Sequence, residues 1–211
     1  QPIMQECLRS LTDADIEVGT FTRIPPDPSI GVVGKCVEAG REIDAEVMVA
    51  IGGGSSLDVA KCAAIMLRHA CGIESLFDTD AIPGRGIPTI MVPTTAGTGS
   101  EVTPIAVLSD ESKNLKRGVV SDDLLADVAL VDPELCVTLP PFPTAYTGMD
   151  ALTHAIEAYT NRFAVPLIDC MALEGIRLVA RNLRKCVENG ADIDARYGMS
   201  IASLLGGFCL R

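Results

Sequence analysis

Hydrophobic and polar positions change period several times along the chain. Met4 to Leu11 carries apolar residues at helical spacing, and Ile16–Phe21 then reads as a strand. Pro25-Pro26-Asp27-Pro28 is a rigid turn, and Pro28 or Ser29 opens a helix that runs to about Glu42. Val47–Ile51 is a short, continuous apolar run that ends at glycines, the pattern of a strand covered on both faces. Ser55 or Ser56 caps the next helix, which extends to about Arg68. Pro88–Val92 reads as a second buried strand, and Thr103–Leu108, Lys116–Ser121 and Val128–Val131 as further short ones. Strands alternating with helices across short connections predict a parallel sheet between helices. From Pro143 onward only helical periods remain, over Thr144–Thr160, Pro166–Glu188 and Asp192–Leu205. The pattern therefore predicts an α/β domain over residues 1–134 and an all-helical domain over 135–211, with the boundary near 132–140.

Composition narrows the function classes. The 211 residues are 48% hydrophobic, enough for a real core and too apolar for disorder. Seventeen Lys and Arg stand against 28 Asp and Glu, a formal net charge of −11. That balance argues against a nucleic-acid binder, which needs a basic face, and against a peripheral protein drawn to anionic lipid. Aromatic residues make up 4% and Trp is absent, so platforms for stacking bases are scarce. No apolar stretch approaches the roughly 18 residues of a spanning helix, and no signal peptide is visible. Eight cysteines are scattered with no C-x-x-C pair, the usage of reduced core residues in a cytoplasmic protein.

Three segments carry candidate chemistry. Gly52-Gly53-Gly54-Ser55-Ser56-Leu57-Asp58 lies between a buried strand and a helix. Glycines let the backbone approach a phosphate closely, and the helix start offers unpaired N–H groups at the positive end of its dipole. The string matches neither G-x-G-x-x-G nor the Walker pattern, and a plain capped turn would also account for it. Pro93-Thr94-Thr95-Ala96-Gly97-Thr98-Gly99-Ser100-Glu101 also follows a buried strand. Both loops would lie at the carboxyl edge of the sheet, where such folds bind ligands. In Gly148-Met149-Asp150-Ala151-Leu152-Thr153-His154, a carboxylate and an imidazole at i and i+4 share one helix face and could reach one metal ion. Spacing alone favours a blander account, with Asp150 the acid of a capping box opened by Thr147 and His154 an ordinary helix histidine. Arg177, Arg181, Arg184 and Lys185 read as a solvated face, and the P-loop-like Gly31–Lys35 is discounted because it falls inside a helical stretch.

The strings Gly52–Lys61, Pro93–Thr103 and Gly148–Glu157, in this order and at these intervals, resemble the signatures of iron-containing (group III) alcohol dehydrogenases. The resemblance covers essentially the whole chain. It implies a dinucleotide-binding α/β domain, a helical domain and a site in the cleft between them. It further implies that Gly53, Gly54 and Ser55 hold the cofactor pyrophosphate, that Thr94, Thr95 and Thr103 line the cofactor cleft, and that Lys116 contacts the nucleotide. Asp27 falls on the adenosine side, and Asp150 and His154 match the first two of four metal ligands. The expected cofactors are NAD or NADP with a divalent metal, iron first and zinc second. The expected partners are a small alcohol or its aldehyde or ketone, and further copies of the chain in a homo-oligomer.

The resemblance also implies two histidine ligands in a G-x-x-H-x-x-x-H-type segment downstream, and a first strand upstream that helps choose NAD over NADP. Neither is in this sequence, whose apolar end Ile201–Leu210 reads as cut, so an internal fragment is expected that binds metal weakly and lacks activity alone. Closely related readings are a glycerol-dehydrogenase or maleylacetate-reductase type of oxidoreductase. More distant ones are a dehydroquinate-synthase-like lyase and a non-catalytic nucleotide-binding remnant.

Overall fold

A computed structural model describes residues 2–210, and the side chains from residue 5 onward. Helix α1 (Pro2–Asp13) is followed by extended chain and α2 (Ile30–Glu42), with Ser29 at its N-cap. Strand β1 (Met48–Gly52) runs into α3 (Gly54–His69), and two short 3-10 turns lead to β2 (Thr89–Pro93). A loop containing the 3-10 turn Ser100–Val102 precedes β3 (Ile105–Asp110), β4 (Leu115–Val120) and β5 (Val128–Ala129). Three helices close the chain: α4 (Pro141–Thr160), α5 (Pro166–Glu188) and α6 (Ile193–Cys209).

The parallel sheet has the order β1-β2-β5, with Ala50 opposite Met91 and Ile90 opposite Val128. β3 and β4 stand apart from it as an antiparallel hairpin, Ile105 facing Val120 and Asp110 facing Leu115. The four residues between them are too few for the crossover that parallel neighbours need. Asn114 at φ 50° and the Asp110 side chain, which accepts from Ser112 and the Lys113 amide, shape that turn.

Helix α3 covers one face of the sheet, burying Ala50, Leu57, Ala60 and Met91 together. The opposite face corrects the expectation of a strand covered on both sides. Val49 is 43% exposed and Val128 46%, because among the described residues no helix packs over them. A larger core lies between α2, α3 and the hairpin, around Val33, Val37, Val59, Ile65 and Leu108. The three C-terminal helices pack around Ala151, Val179, Met199 and Ala202.

Two further expectations change. Residues 16–21 form no strand, since no sheet edge reaches them; Phe21 instead packs on the α2–α3 core. Neither Ser55 nor Ser56 caps α3. Gly53 occupies the N-cap with extended backbone and no side-chain cap bond. Gly31–Lys35 lies inside α2, as expected, and Arg177, Arg181, Arg184 and Lys185 are exposed on α5.

Candidate functional site

The glycine turn sits where β1 ends and α3 begins, at the carboxyl edge of the parallel sheet. Outside the helix itself, the amides of Gly53, Gly54 and Ser55 have no acceptor among the described residues. A helix start always leaves such donors, and here no serine side chain folds back to take them. The following loop closes over this turn. Thr94 donates its amide to Gly52 O at 2.9 Å. Thr95 lies 3.3 Å from where a Cβ on Gly53 would stand, and Thr98 comes within 2.6 Å of one on Gly54. Glycine at 54 is thus favoured by the neighbouring loop itself. Gly53, Gly54, Ser55, Thr94 and Thr95 are brought together as the sequence suggested.

Thr103 is placed elsewhere. It is buried, and its hydroxyl meets Lys61 Nζ at 3.3 Å rather than facing an open cleft. Asp27 and Lys116 do meet, Oδ1 to Nζ at 2.6 Å, but both are well exposed, so the pair adds little stability and stays free to exchange partners.

Sequence reasoning missed a buried polar cluster behind the loop. Asp58 accepts from Ser100 Oγ at 2.6 Å and from the Val107 amide at 2.9 Å. Lys61, one turn further along α3, donates to Thr103 O at 3.0 Å and Ile105 O at 2.9 Å. Burial pulls the Lys61 ammonium down to about 8, against the opposing pull of Asp58. Burial likewise raises the carboxyls of Asp58 and Glu101, with Lys61 acting the other way on both. The available signal was a charged i, i+3 pair inside an otherwise apolar stretch of helix.

On α4, Asp150 Oδ1 and His154 Nε2 lie 3.7 Å apart on one face. The capping-box alternative fails. α4 begins at Pro141, well before Thr147, whose hydroxyl donates to Pro143 O at 2.8 Å. His154 Nδ1 is buried with no partner. Two ligands of a tetrahedral ion at about 2.1 Å stand roughly 3.4 Å apart, so this pair suits shared coordination. Among the described residues no group of three or more His, Cys, Asp or Glu is gathered, so no third such side chain joins the pair. His69, at the far end of α3, bonds Arg85 O at 2.8 Å and takes no part.

The Thr94–Thr103 loop joins the two places. A Cβ on Gly97 would stand 2.7 Å from Thr147 O on α4, and one on Gly99 2.7 Å from Ser203 O and 2.8 Å from Gly207 Cα on α6. Gly206, in turn, lets α6 approach the His154 side chain. One face of the loop therefore rests on the glycine turn and the other on the helices that carry the Asp–His pair.

Known proteins resemble this chain in sequence and in fold. A family profile described as "Iron-containing alcohol dehydrogenase" matches residues 1–133, and one described as "Fe-containing alcohol dehydrogenase family, C-terminal" matches 144–211. The chain is 43% identical over 208 residues to long-chain-alcohol dehydrogenase 1 of Geobacillus thermodenitrificans, covering 97% of this chain and 52% of that protein. It is 40% identical over 210 residues to the 1,3-propanediol dehydrogenase of Klebsiella pneumoniae, covering 97% and 53%. The structure of sulfoacetaldehyde reductase from Bifidobacterium kashiwanohense in complex with NAD+ superposes with a TM-score of 0.90 at 39% identity, over 97% of this chain and 55% of the other. The chain thus spans about half the length of the relatives it matches. With two profiles covering most of its residues in order, the chain belongs to the iron-containing alcohol dehydrogenase family.

Proposed function

We propose that this chain supplies the nucleotide site and half of the metal site of an NAD(P)-linked alcohol dehydrogenase that interconverts a small alcohol with its aldehyde or ketone. The observation that carries the reading is the set of unpaired amides at Gly53–Ser55 on the carboxyl edge of a parallel sheet. A pyrophosphate there is bound by N–H groups and by the positive end of α3. Thr94 and Thr95 close over it, and the Asp27–Lys116 pair is the contact for the adenosine end. Asp150 and His154 hold a divalent ion, iron or zinc, from α4. Such an ion would supply a Lewis acid for an alcohol oxygen, and a nicotinamide held at the glycine turn would supply the hydride acceptor. Asp150 and His154 carry one carboxylate between them, so a divalent ion held there would stay net positive and would favour an anionic oxygen.

Residues 1–134 and 135–211 are then a nucleotide domain and a metal domain. Eight free cysteines fit a reducing compartment such as the cytoplasm, and no described helix is long and apolar enough to cross a membrane. The test is titration of the chain with NADH and NADPH, followed by nucleotide fluorescence, with folding checked by circular dichroism. Saturable binding that is lost in Gly54→Val is expected; a folded chain that binds neither nucleotide overturns the reading.

A further inference from the structure

The Asp58–Lys61 cluster is costly to keep. Two charges on a helix interior lose their hydration, and an apolar pair of similar size would hold helix and loop together without that penalty. What an apolar pair lacks is direction. Lys61 directs its three ammonium hydrogens to Thr103 O, Thr103 Oγ1 and Ile105 O. Asp58 spends one oxygen on Ser100 Oγ and the other on the Val107 amide. The short Ser100 contact is the charge-assisted kind. All five bonds run from one helix to the segment 100–107. Their anchors stand on the second and third turns of α3, the helix whose first turn holds the open amides. Thr98, whose hydroxyl accepts from the Ser100 amide at 3.1 Å, is the residue that presses on Gly54. The tie therefore runs from Asp58 through Ser100 to Thr98 and back to the glycine turn.

We propose that Asp58 and Lys61 are positioning residues of the nucleotide site, fixing the height of Thr95 and Thr98 above the Gly53–Ser55 amides and so the room left for a diphosphate. The inference rests on the dinucleotide reading of that turn. Neither residue touches the ligand, and they act through the loop.

The test measures NADH affinity of the full chain by fluorescence titration in the wild type, Ser100→Ala, Asp58→Asn and the double variant. Each single change is expected to weaken binding about ten-fold, the worth of one bond to a charged group. The double variant is expected to be no weaker than either alone, since both cut the same tie, and Ser100→Thr is expected to restore affinity. Arg196→Met supplies the stability control. That guanidinium is buried among Thr144, Leu139 and Gly190 on the helical side, so its loss is expected to lower the melting temperature and leave NADH affinity unchanged. If Asp58→Asn does not fold, Ser100→Ala makes the comparison alone. Wild-type binding with Ser100→Ala folded and within two-fold of it overturns the positioning role and leaves the dinucleotide reading standing. A wild type that binds neither NADH nor NADPH overturns that reading, and the inference with it.

Discussion

Glycines along the chain differ sharply in what a methyl group would meet. At Gly99 a Cβ would run into the backbone of α6 at 2.7–2.8 Å, and the backbone there is left-handed at φ 61°. At Gly118 in β4 nothing lies within 4 Å. Gly99→Ala is expected to cost about 2 kcal/mol or more, since neither backbone can give way. Gly118→Ala should stay within about 0.5 kcal/mol of the wild type. Urea unfolding of the two variants checks the contrast. Buried thiols set a second expectation. Burial raises Cys36 and Cys136 to about 11 each and Cys62 further still. The unfolded chain releases these protons near pH 9 while the fold retains them, so their contribution is intact below pH 9 and is lost as pH rises towards 11. Lys61 opposes this, because its lowered value makes stability rise with pH above about 8. Three thiols outweigh one ammonium. The urea midpoint under reducing conditions should therefore fall between pH 9 and 10, and fall more steeply in Lys61→Met. The glycines and threonines of the turn and loop were legible in the sequence because their residue types are unusual together. Asp58 and Lys61 left a fainter trace, a charged i, i+3 pair in an apolar stretch, and the packed loop shows that they face inward.

Among the elements, helices were read most directly. Pro166, Asp192 and the helical spacing marked their starts and lengths, and Asp192 does cap α6 by accepting from the Ala195 amide at 3.0 Å. Strands were harder, because a strand exists only through its partner. Residues 16–21 have the apolar pattern but no neighbouring ladder, and 105–120 has both but folds on itself as a hairpin. The start of α4 was misplaced for a related reason, since Pro141 and Pro143 tolerate a first helical turn as well as the loop they suggest. That earlier start puts Asp150 and His154 in mid-helix, where their spacing is fixed. Two ligands on one rigid turn predict weak binding: zinc titrated into the chain should bind with modest affinity, be lost in Asp150→Ala and in His154→Ala, and support no alcohol-dependent NADH formation. Tight binding that survives either substitution, seen by calorimetry, would contradict the shared-ion assignment.

For the whole molecule, the bare face of the parallel sheet matters most. Val47, Val49, Val128 and Leu130 are each about half exposed, and among the described residues β1 has a partner on one side only. An apolar sheet face beside an open edge recruits further chains. The isolated chain is therefore expected to self-associate, with light scattering giving a mass that rises with concentration and that falls back when Val49 and Val128 are both changed to Lys. A mass independent of concentration and of these changes would show that the face is shielded some other way.

The strip of chain from Thr94 to Thr103 has a final consequence. Where it touches α4 and α6 it presents the backbone of Gly97 and Gly99 beside the short side chains of Ala96 and Val102, and where it touches the glycine turn it presents Thr95 and Thr98. Such a spacer has almost no give, because no long rotamer on either side can lengthen or shorten to absorb a change. The span from the glycine turn to the Asp–His pair is thereby dictated by residue count. Adding or removing one residue in this strip should disable the protein outright, whereas exchanging side chains on its ends only retunes it.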